Sequence, residues 1–183
     1  MKTILMILGK ETNELARGEY NKGLFEAGIS HLAQDHEILT TEIETGYDVN
    51  EEIEKFKKAD TVIFQYPVYW FMMPASLKKY LDEVYQLHEF FGFGENGYGS
   101  GGLMKGKKFM LSTTWNAPAD AFSDKAAFFP ELSPEDVLLP MVKSNTFCGL
   151  EELPHFSCHN VIHEPDFDTD ASRYVDHLKT VFA

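Results

Sequence analysis

The chain has 183 residues, 44% of them hydrophobic and 25% charged, with 16 basic side chains against 29 acidic ones and a formal charge of −13. That length suits one domain spanning 1–183, with a core large enough to need neither disulfide nor metal. The acidity argues against a protein that tracks nucleic-acid phosphates or an anionic membrane, yet leaves room for a nucleotide held by loop amides and a few cations.

Cys148 and Cys158 lie far apart and form no CxxC, so neither a disulfide framework nor a zinc site is expected and a reducing cytoplasm is the expected setting. No apolar run reaches the ~18 residues that a membrane span needs. The amino terminus enters a strand-like run directly, without the basic-then-apolar pattern of a secretory signal.

In chain order, Thr3 to Leu8 reads as a first central strand. A polar loop from Gly9 to Glu19 follows, then a helix from Tyr20 to Leu32 with Leu24, Phe25, Ile29 and Leu32 at helical spacing. Glu37 to Ile43 alternates partially, as suits a sheet edge. Val49 to Ala59 is a short charged helix and Thr61 to Gln65 a buried third strand. The loop Tyr66 to Met73 leads to Pro74, placed as the first residue of a helix that carries Leu77, Tyr80, Leu81 and Val84 on one face.

Glu89 to Gly106 is a loop with seven glycines between Gly92 and Gly106, and Lys107 to Thr114 is a fourth strand. A second long loop runs from Trp115 to Leu132. Ser133-Pro134-Glu135-Asp136 has the form of a capped helix start, with Val137 to Phe147 as its body and Gly149 as a left-handed terminator. Leu153 to Val161 is the last strand, interrupted by His155 and His159, and Asp168 to Phe182 closes the chain as a helix. Strands that alternate with helices in this way predict an α/β fold: a three-layer, doubly wound, five-stranded parallel sheet.

Three loops follow strand ends and gather on the edge where open α/β sheets bind ligands. The first ends at a helix amino terminus, whose free amides and dipole suit a phosphate, with Arg17 and Lys22 as cations and Gly18 allowing close approach. It contains neither a Walker motif nor GxGxxG, and a plain surface loop is the alternative. The second, Pro67 to Met73, presents Tyr69, Trp70 and Phe71, rings that either pack as core or face a planar redox-active ring such as a flavin. The third, Thr114-Trp115-Asn116-Ala117-Pro118, offers an amide for the polar edge of such a ring and an indole for its face. Both tryptophans of the chain therefore sit at strand ends on one edge.

The glycine-rich Gly97 to Gly102 stretch precedes a strand, so it lacks the dipole of a phosphate loop. His155 and His159 stand four apart in a strand-like stretch where that spacing is not helical, and no metal site is expected. Neither cysteine has a base partner, and the chain has no nucleophile elbow and no HExxH.

Taken together, Pro67-Val68-Tyr69-Trp70 through Leu77-Lys78-Lys79-Tyr80, Tyr98-Gly99-Ser100-Gly101-Gly102-Leu103 with Gly106-Lys107-Lys108, and Thr114 to Pro118 resemble the flavodoxin-like NAD(P)H:quinone reductases of the modulator of drug activity B type. The resemblance runs over essentially the whole chain and implies a flavodoxin-like fold binding FAD without a covalent link, with NADPH as hydride donor. It assigns the pyrophosphate and ribityl end to Arg17, Gly18, Glu19, Tyr20, Asn21, Lys22 and Gly23. The isoalloxazine falls to Pro67, Val68, Tyr69, Trp70 and Phe71 and to Thr114, Trp115, Asn116 and Ala117. Tyr98 is expected to reach the flavin across a homodimer interface.

The chain departs from that family by carrying Ala16-Arg17 where relatives have serine-asparagine, and by a shorter stretch between Val84 and Tyr98. Phe122, Phe128 and Phe129 occupy the loop in which mammalian quinone reductases carry a tyrosine and a histidine that manage protons.

The expected activity is two-electron quinone reduction by ping-pong kinetics, with no catalytic side chain and no metal, because the cofactor carries the chemistry. A flavin- or nucleotide-binding regulatory subunit of a potassium-efflux type transporter is the rival reading. An electron-shuttling FMN flavodoxin is a third.

Overall fold

A computed structural model describes residues 1–14, 17–122 and 124–183. The departure at Ala16 therefore lies outside the described residues. The elements are β1 (Thr3–Leu8), α1 (Glu19–Leu32), β2 (Glu37–Glu42), α2 (Val49–Lys58), β3 (Thr61–Pro67), α3 (Ala75–Val84), β4 (Lys108–Thr114), α4 (Pro134–Val137), α5 (Leu139–Phe147), β5 (Glu151–Glu152), β6 (Phe156–Cys158) and α6 (Phe167–Val181). Three-residue helical turns at Ile43–Thr45 and Ala119–Ala121 complete them. Among the described residues no helix is long and apolar enough to cross a membrane.

All strand pairs are parallel, in the order β2-β1-β3-β4-β5, with β6 also on β4. This is the doubly wound order in which the chain reverses direction between β1 and β3. Strands β1, β3 and β4 are covered on both faces, and their near-continuous apolar runs read accordingly. The pleat sends Leu5, Ile7, Val62, Phe64, Phe109 and Leu111 toward one core, with Leu77, Tyr80 and Met141. It sends Ile4, Met6, Ile63 and Met110 toward the other, with Leu24, Phe25, Tyr174 and Leu178.

The fifth strand position is split, and β5 and β6 share it. Pro154 interrupts the ladder, and the His155 imidazole takes over, its Nδ1 accepting from the Leu111 N–H at 3.1 Å. Nε2 then carries the proton and faces Glu152 Oε1 at 3.1 Å. Burial holds this ring below the usual imidazole range, opposed by Glu152.

Several helix ends differ from the sequence expectation by one residue, and two differences have a plain cause. Pro74 is the N-cap of α3, with ψ 154°, and the helix begins at Ala75. The segment from Val137 to Phe147 is two helices, because Pro140 has no N–H to continue the first across Leu138. Ser133 and Asp136 do form the reciprocal capping box, and Gly149 adopts φ 95° past the end of α5.

One buried carboxylate ties three elements on the α2–α3 side. Glu52, 1% exposed, accepts from the Thr41 hydroxyl at 2.7 Å, the Tyr80 hydroxyl at 2.6 Å and Lys55 Nζ at 2.6 Å. Every polar atom there has a partner, so the charge is tolerated where an unpaired one would not be.

Protonating His155 would place a proton on Nδ1, against the Leu111 N–H, so the native state favours the neutral ring. The stability this contributes is full above the unfolded imidazole value of about 6.5 and is lost as the pH falls below it. Urea unfolding between pH 7 and pH 5 is expected to show a decline that is smaller in His155→Gln, whose amide does not titrate.

Candidate functional site

The carboxyl ends of β1, β3, β4 and β6 open onto a cleft of about 550 Å³. Its phosphate-like end is built at the start of α1. Gly18 sits at the N-cap with φ +73°, and having no side chain it leaves the first-turn amides of the helix uncapped from its own position. A Cβ there would come within 2.4 Å of Lys10 Cδ. Lys10 cannot move aside freely, because Nζ bonds Glu44 Oε2 at 2.5 Å and the Thr12 hydroxyl at 2.8 Å. The Thr12 N–H adds a bond to Glu44 Oε1 at 2.7 Å, and Lys10 in turn holds the Glu44 carboxyl below its usual range. Arg17 stands exposed beside Gly18, the nearest cation in the cleft lining.

Beneath this end runs a buried amide relay. Gln65 Nε2 donates to Asn21 Oδ1 at 2.8 Å, and Asn21 Nδ2 donates to Thr114 Oγ1 at 2.8 Å. It binds α1 to the ends of β3 and β4. Tyr20 is anchored from the other side, its hydroxyl donating to Asp170 Oδ2 at 2.6 Å, and burial followed by that carboxylate pushes its pKa far up.

The flat end lies against Pro67, Val68, Tyr69 and Trp70. Tyr69 and Met72 exchange backbone bonds of 2.9 and 3.0 Å, making a two-residue hairpin with Trp70 at φ 49° and Phe71 at φ 64°. Asn-Gly is the usual occupant of such a turn; two bulky aromatics cost about 1–3 kcal/mol each. Two hairpin hydrogen bonds, worth about 1 kcal/mol each, do not offset that. Phe71 recovers part by packing edge-on to Phe129 at 5.0 Å. Trp70, 85% exposed, has no such ring partner among the described residues. Strain that holds an exposed indole at a cleft mouth is the pattern of a ligand contact.

Of the residues singled out from the sequence, the cleft brings together Arg17, Gly18, Glu19, Tyr20, Asn21, Pro67, Val68, Tyr69, Trp70, Thr114 and Asn116. Six others lie elsewhere. Lys22 is half-buried on α1, and Gly23 faces α6, where a Cβ would meet the Phe167 ring at 2.5 Å. Phe71 turns into a neighbouring apolar cleft of about 490 Å³ shared with Met73 and Met141.

Trp115 does not present its face to the cleft as expected. It is 2% exposed, with its indole N–H donating to Thr113 Oγ1 at 2.9 Å and its ring edge-on to Phe122 at 5.3 Å. The physical reason is the pleat: the residue that follows Thr114 faces the core. Ala117 contributes its carbonyl to the His159 Nδ1–H at 3.2 Å and the Asn160 N–H at 3.3 Å. Tyr98, fully exposed, stands 5.5 Å from Phe147 on a separate aromatic cleft of about 630 Å³.

Asn13, Val161 and Ile162 also line the cleft and were missed. Val161 and Ile162, two apolar residues just past the last strand, were the available signal. His159 packs against Trp115 at 6.2 Å and Phe122 at 5.4 Å, and burial keeps it neutral below the usual imidazole range. Nδ1 of His155 and Nδ1 of His159 are each engaged by the backbone, and among the described residues no group of three or more His, Cys, Asp or Glu could hold a metal ion.

A left-handed glycine before uncapped helix amides, an adjacent guanidinium, a planar aromatic wall and an exposed carboxamide form a donor set that fits a phosphorylated, flat, heteroaromatic ligand. The fold and this cleft together define a flavodoxin-like ligand-binding protein.

A flavodoxin-like fold family model matches residues 11–180. The NADPH:quinone oxidoreductase MdaB of Haemophilus influenzae is 39% identical over 189 residues, covering 98% of each chain. An uncharacterised protein of Schizosaccharomyces pombe is 37% identical over 98% of this chain and 96% of its own. A putative quinone reductase structure from Klebsiella pneumoniae superposes with TM-score 0.81 at 25% identity, over 100% of this chain and 85% of that one. General stress protein 14 of Treponema denticola, solved with FMN, shares the fold at TM-score 0.76 and 22% identity over 99% of each chain. The chain belongs to the flavodoxin-like fold family, among the MdaB-like quinone oxidoreductases.

Gly18→Ala is expected to cost about 1–2 kcal/mol of stability, from the positive φ alone. It should also loosen the Lys10–Glu44 clamp. Thermal unfolding of the variant, with and without added flavin, measures both effects.

Proposed function

We propose that this chain is a single-domain flavoenzyme that binds FAD in the cleft at the β1–β3 switch point and reduces quinones with NADPH. The observation that carries the reading is the strained Trp70–Phe71 hairpin standing across the sheet edge from an uncapped, glycine-started helix. The bound flavin supplies hydride acceptance and two-electron delivery.

The chain's own residues bind, orient and exclude water. First-turn amides of α1 with Arg17 take the phosphate end, and Glu19, Tyr20 and Asn21 follow it along the helix start. Pro67, Val68, Tyr69 and Trp70 wall the ring. Thr114 and Asn116 meet its polar edge, where preorganised dipoles favour developing negative charge. Donor and acceptor use one slot in turn, which gives ping-pong kinetics.

No side chain is assigned as acid or base. Phe71, Phe122, Phe128 and Phe129 form a ring cluster with centroids 4.8–5.8 Å apart and hold no titratable proton. His159 Nδ1–H is committed to the Ala117 carbonyl, so water is the proton source in this reading.

The reading includes a two-fold dimer in which Tyr98 reaches the partner's cofactor. Its support is exposed apolar surface: Tyr98 at 100%, Phe93 at 91%, Trp70 at 85% and Phe128 at 72%.

Titrating the flavin-free protein with FAD and with FMN is expected to give tight FAD binding. Binding of neither overturns the site, and a clear FMN preference overturns the FAD assignment. NADPH consumption should rise on addition of menadione; turnover fixed at background would favour the regulatory-subunit role.

Trp70→Ala is expected to weaken flavin affinity about tenfold, the upper range for one aromatic stack. Cys148→Ala should leave turnover unchanged, because burial pushes that thiol up to about 12 and keeps it protonated. Light scattering should show a dimer at assay concentration, and a fully active monomer would overturn the shared-site arrangement.

A further inference from the structure

We infer that Glu11 is a positioning residue that fixes the Trp70 hairpin relative to the phosphate-end loop, so that one carboxylate sets the spacing between the two ends of the cleft. This rests on the reading of the cleft as a flavin site.

The geometry begins with a missing cap. Pro74 occupies the N-cap of α3 and has no side-chain acceptor for the helix's first amides. The acceptor comes instead from 65 residues earlier: Glu11 Oε1 accepts from the Ser76 N–H at 2.6 Å. A carboxylate at a helix start is favoured by the dipole as well as by the bond.

Glu11 is itself held between two clamped neighbours, since Lys10 and Thr12 both bond Glu44. Just before them, the Gly9 N–H donates to the Gln65 carbonyl at 2.9 Å, and a Cβ at Gly9 would meet Leu77 Cδ2 at 2.9 Å. Residues 9–12 therefore lie against the first turn of α3 with little freedom to shift.

On the other side, Met72 closes the hairpin onto Tyr69 and α3 starts at Ala75, leaving only Met73 and Pro74 between them. A hairpin with two bulky residues at positive φ relaxes unless its exit is anchored. Glu11 supplies that anchor. It also lines the apolar cleft behind the hairpin together with Tyr69 and Trp70. The first loop thus senses the hairpin through Glu11 and carries Arg17 and Gly18 at its far end.

The test uses the full chain. In the flavin-free protein, amide exchange in Glu11→Ala is expected to speed up at Ser76 and also at Tyr69 and Met72, the hairpin closure. Faster exchange at Ser76 alone would make Glu11 a helix cap only and overturn the inference, whatever the protein does with flavin.

With FAD as the probe, Glu11→Ala should raise the dissociation constant about fivefold, the scale of one lost cap. Glu11→Gln retains an acceptor oxygen and should bind within about twofold of the parent. Combined with Trp70→Ala, and likewise with Arg17→Ala, the two losses should fall short of their product. Full multiplication with Trp70→Ala, or Glu11→Ala binding FAD as the parent does, overturns the coupling. A parent chain that binds no FAD sinks the flavin reading itself, and amide exchange still decides what Glu11 does.

Discussion

The parallel register of β1, β3 and β4 is the constraint on which the rest depends. Leu8 pairs with Gln65, and Gln65 with Ser112, so the three strands reach the same edge nearly in step. Because both faces of these strands are buried, a slip of one residue would exchange the two cores, sending Phe64 and Leu111 to the side built for Ile63 and Met110. The sheet cannot slip without losing both cores. That rigidity lets loops separated by a hundred residues meet, and it places the Asn21, Gln65 and Thr114 side chains within hydrogen-bond reach under the cleft.

Part of the local backbone cost falls at that same edge. Gly18 and Trp70 have positive φ and stand on two sides of one cleft, while Phe71, also at positive φ, turns into the neighbouring apolar one. The glycine bears its conformation without a steric penalty, whereas the aromatics do not. The surrounding scaffold is correspondingly over-determined. The Lys10–Glu44–Thr12 clamp fixes one wall, and Glu11 with the Phe129 ring fixes the other. Each clamp is a side chain supplied from far along the chain.

The electrostatics follow a similar division. A chain of charge −13 presents Arg17 at the cleft, while Lys10 is consumed by Glu44 and Lys78 by Asp82 at 2.5 Å. In the proposed reading, anion binding relies chiefly on fixed backbone dipoles, which are indifferent to the overall charge beyond a Debye length of about 8 Å. Buried His155 and His159 are kept neutral and used as hydrogen-bonding parts of the fifth strand and the third loop.

Hydrophobic periodicity, with proline and capping signals, located the first four strands and the helices apart from the α4–α5 break, and their alternation implied the parallel, doubly wound arrangement, because a 3.6-residue or continuous apolar pattern is a local property of the chain. The loops at the carboxyl edge were legible for the same reason: Gly18, Pro67 to Trp70, Thr114 and Asn116 sit next to strands and helices whose ends were already marked. What the sequence did not decide was the direction in which a side chain faces once the chain leaves regular structure. Trp115 and Trp70 look alike as aromatic residues at strand ends, yet one is core and the other solvent-exposed, since the pleat and the Phe122 ring claim the first while the hairpin expels the second. The interrupted fifth strand was hidden because His155 replaces a backbone acceptor with a side-chain nitrogen. The clamps of Glu11, Glu44 and Asp170 were invisible because each joins residues 32 to 150 positions apart, and only the folded sheet brings them within reach.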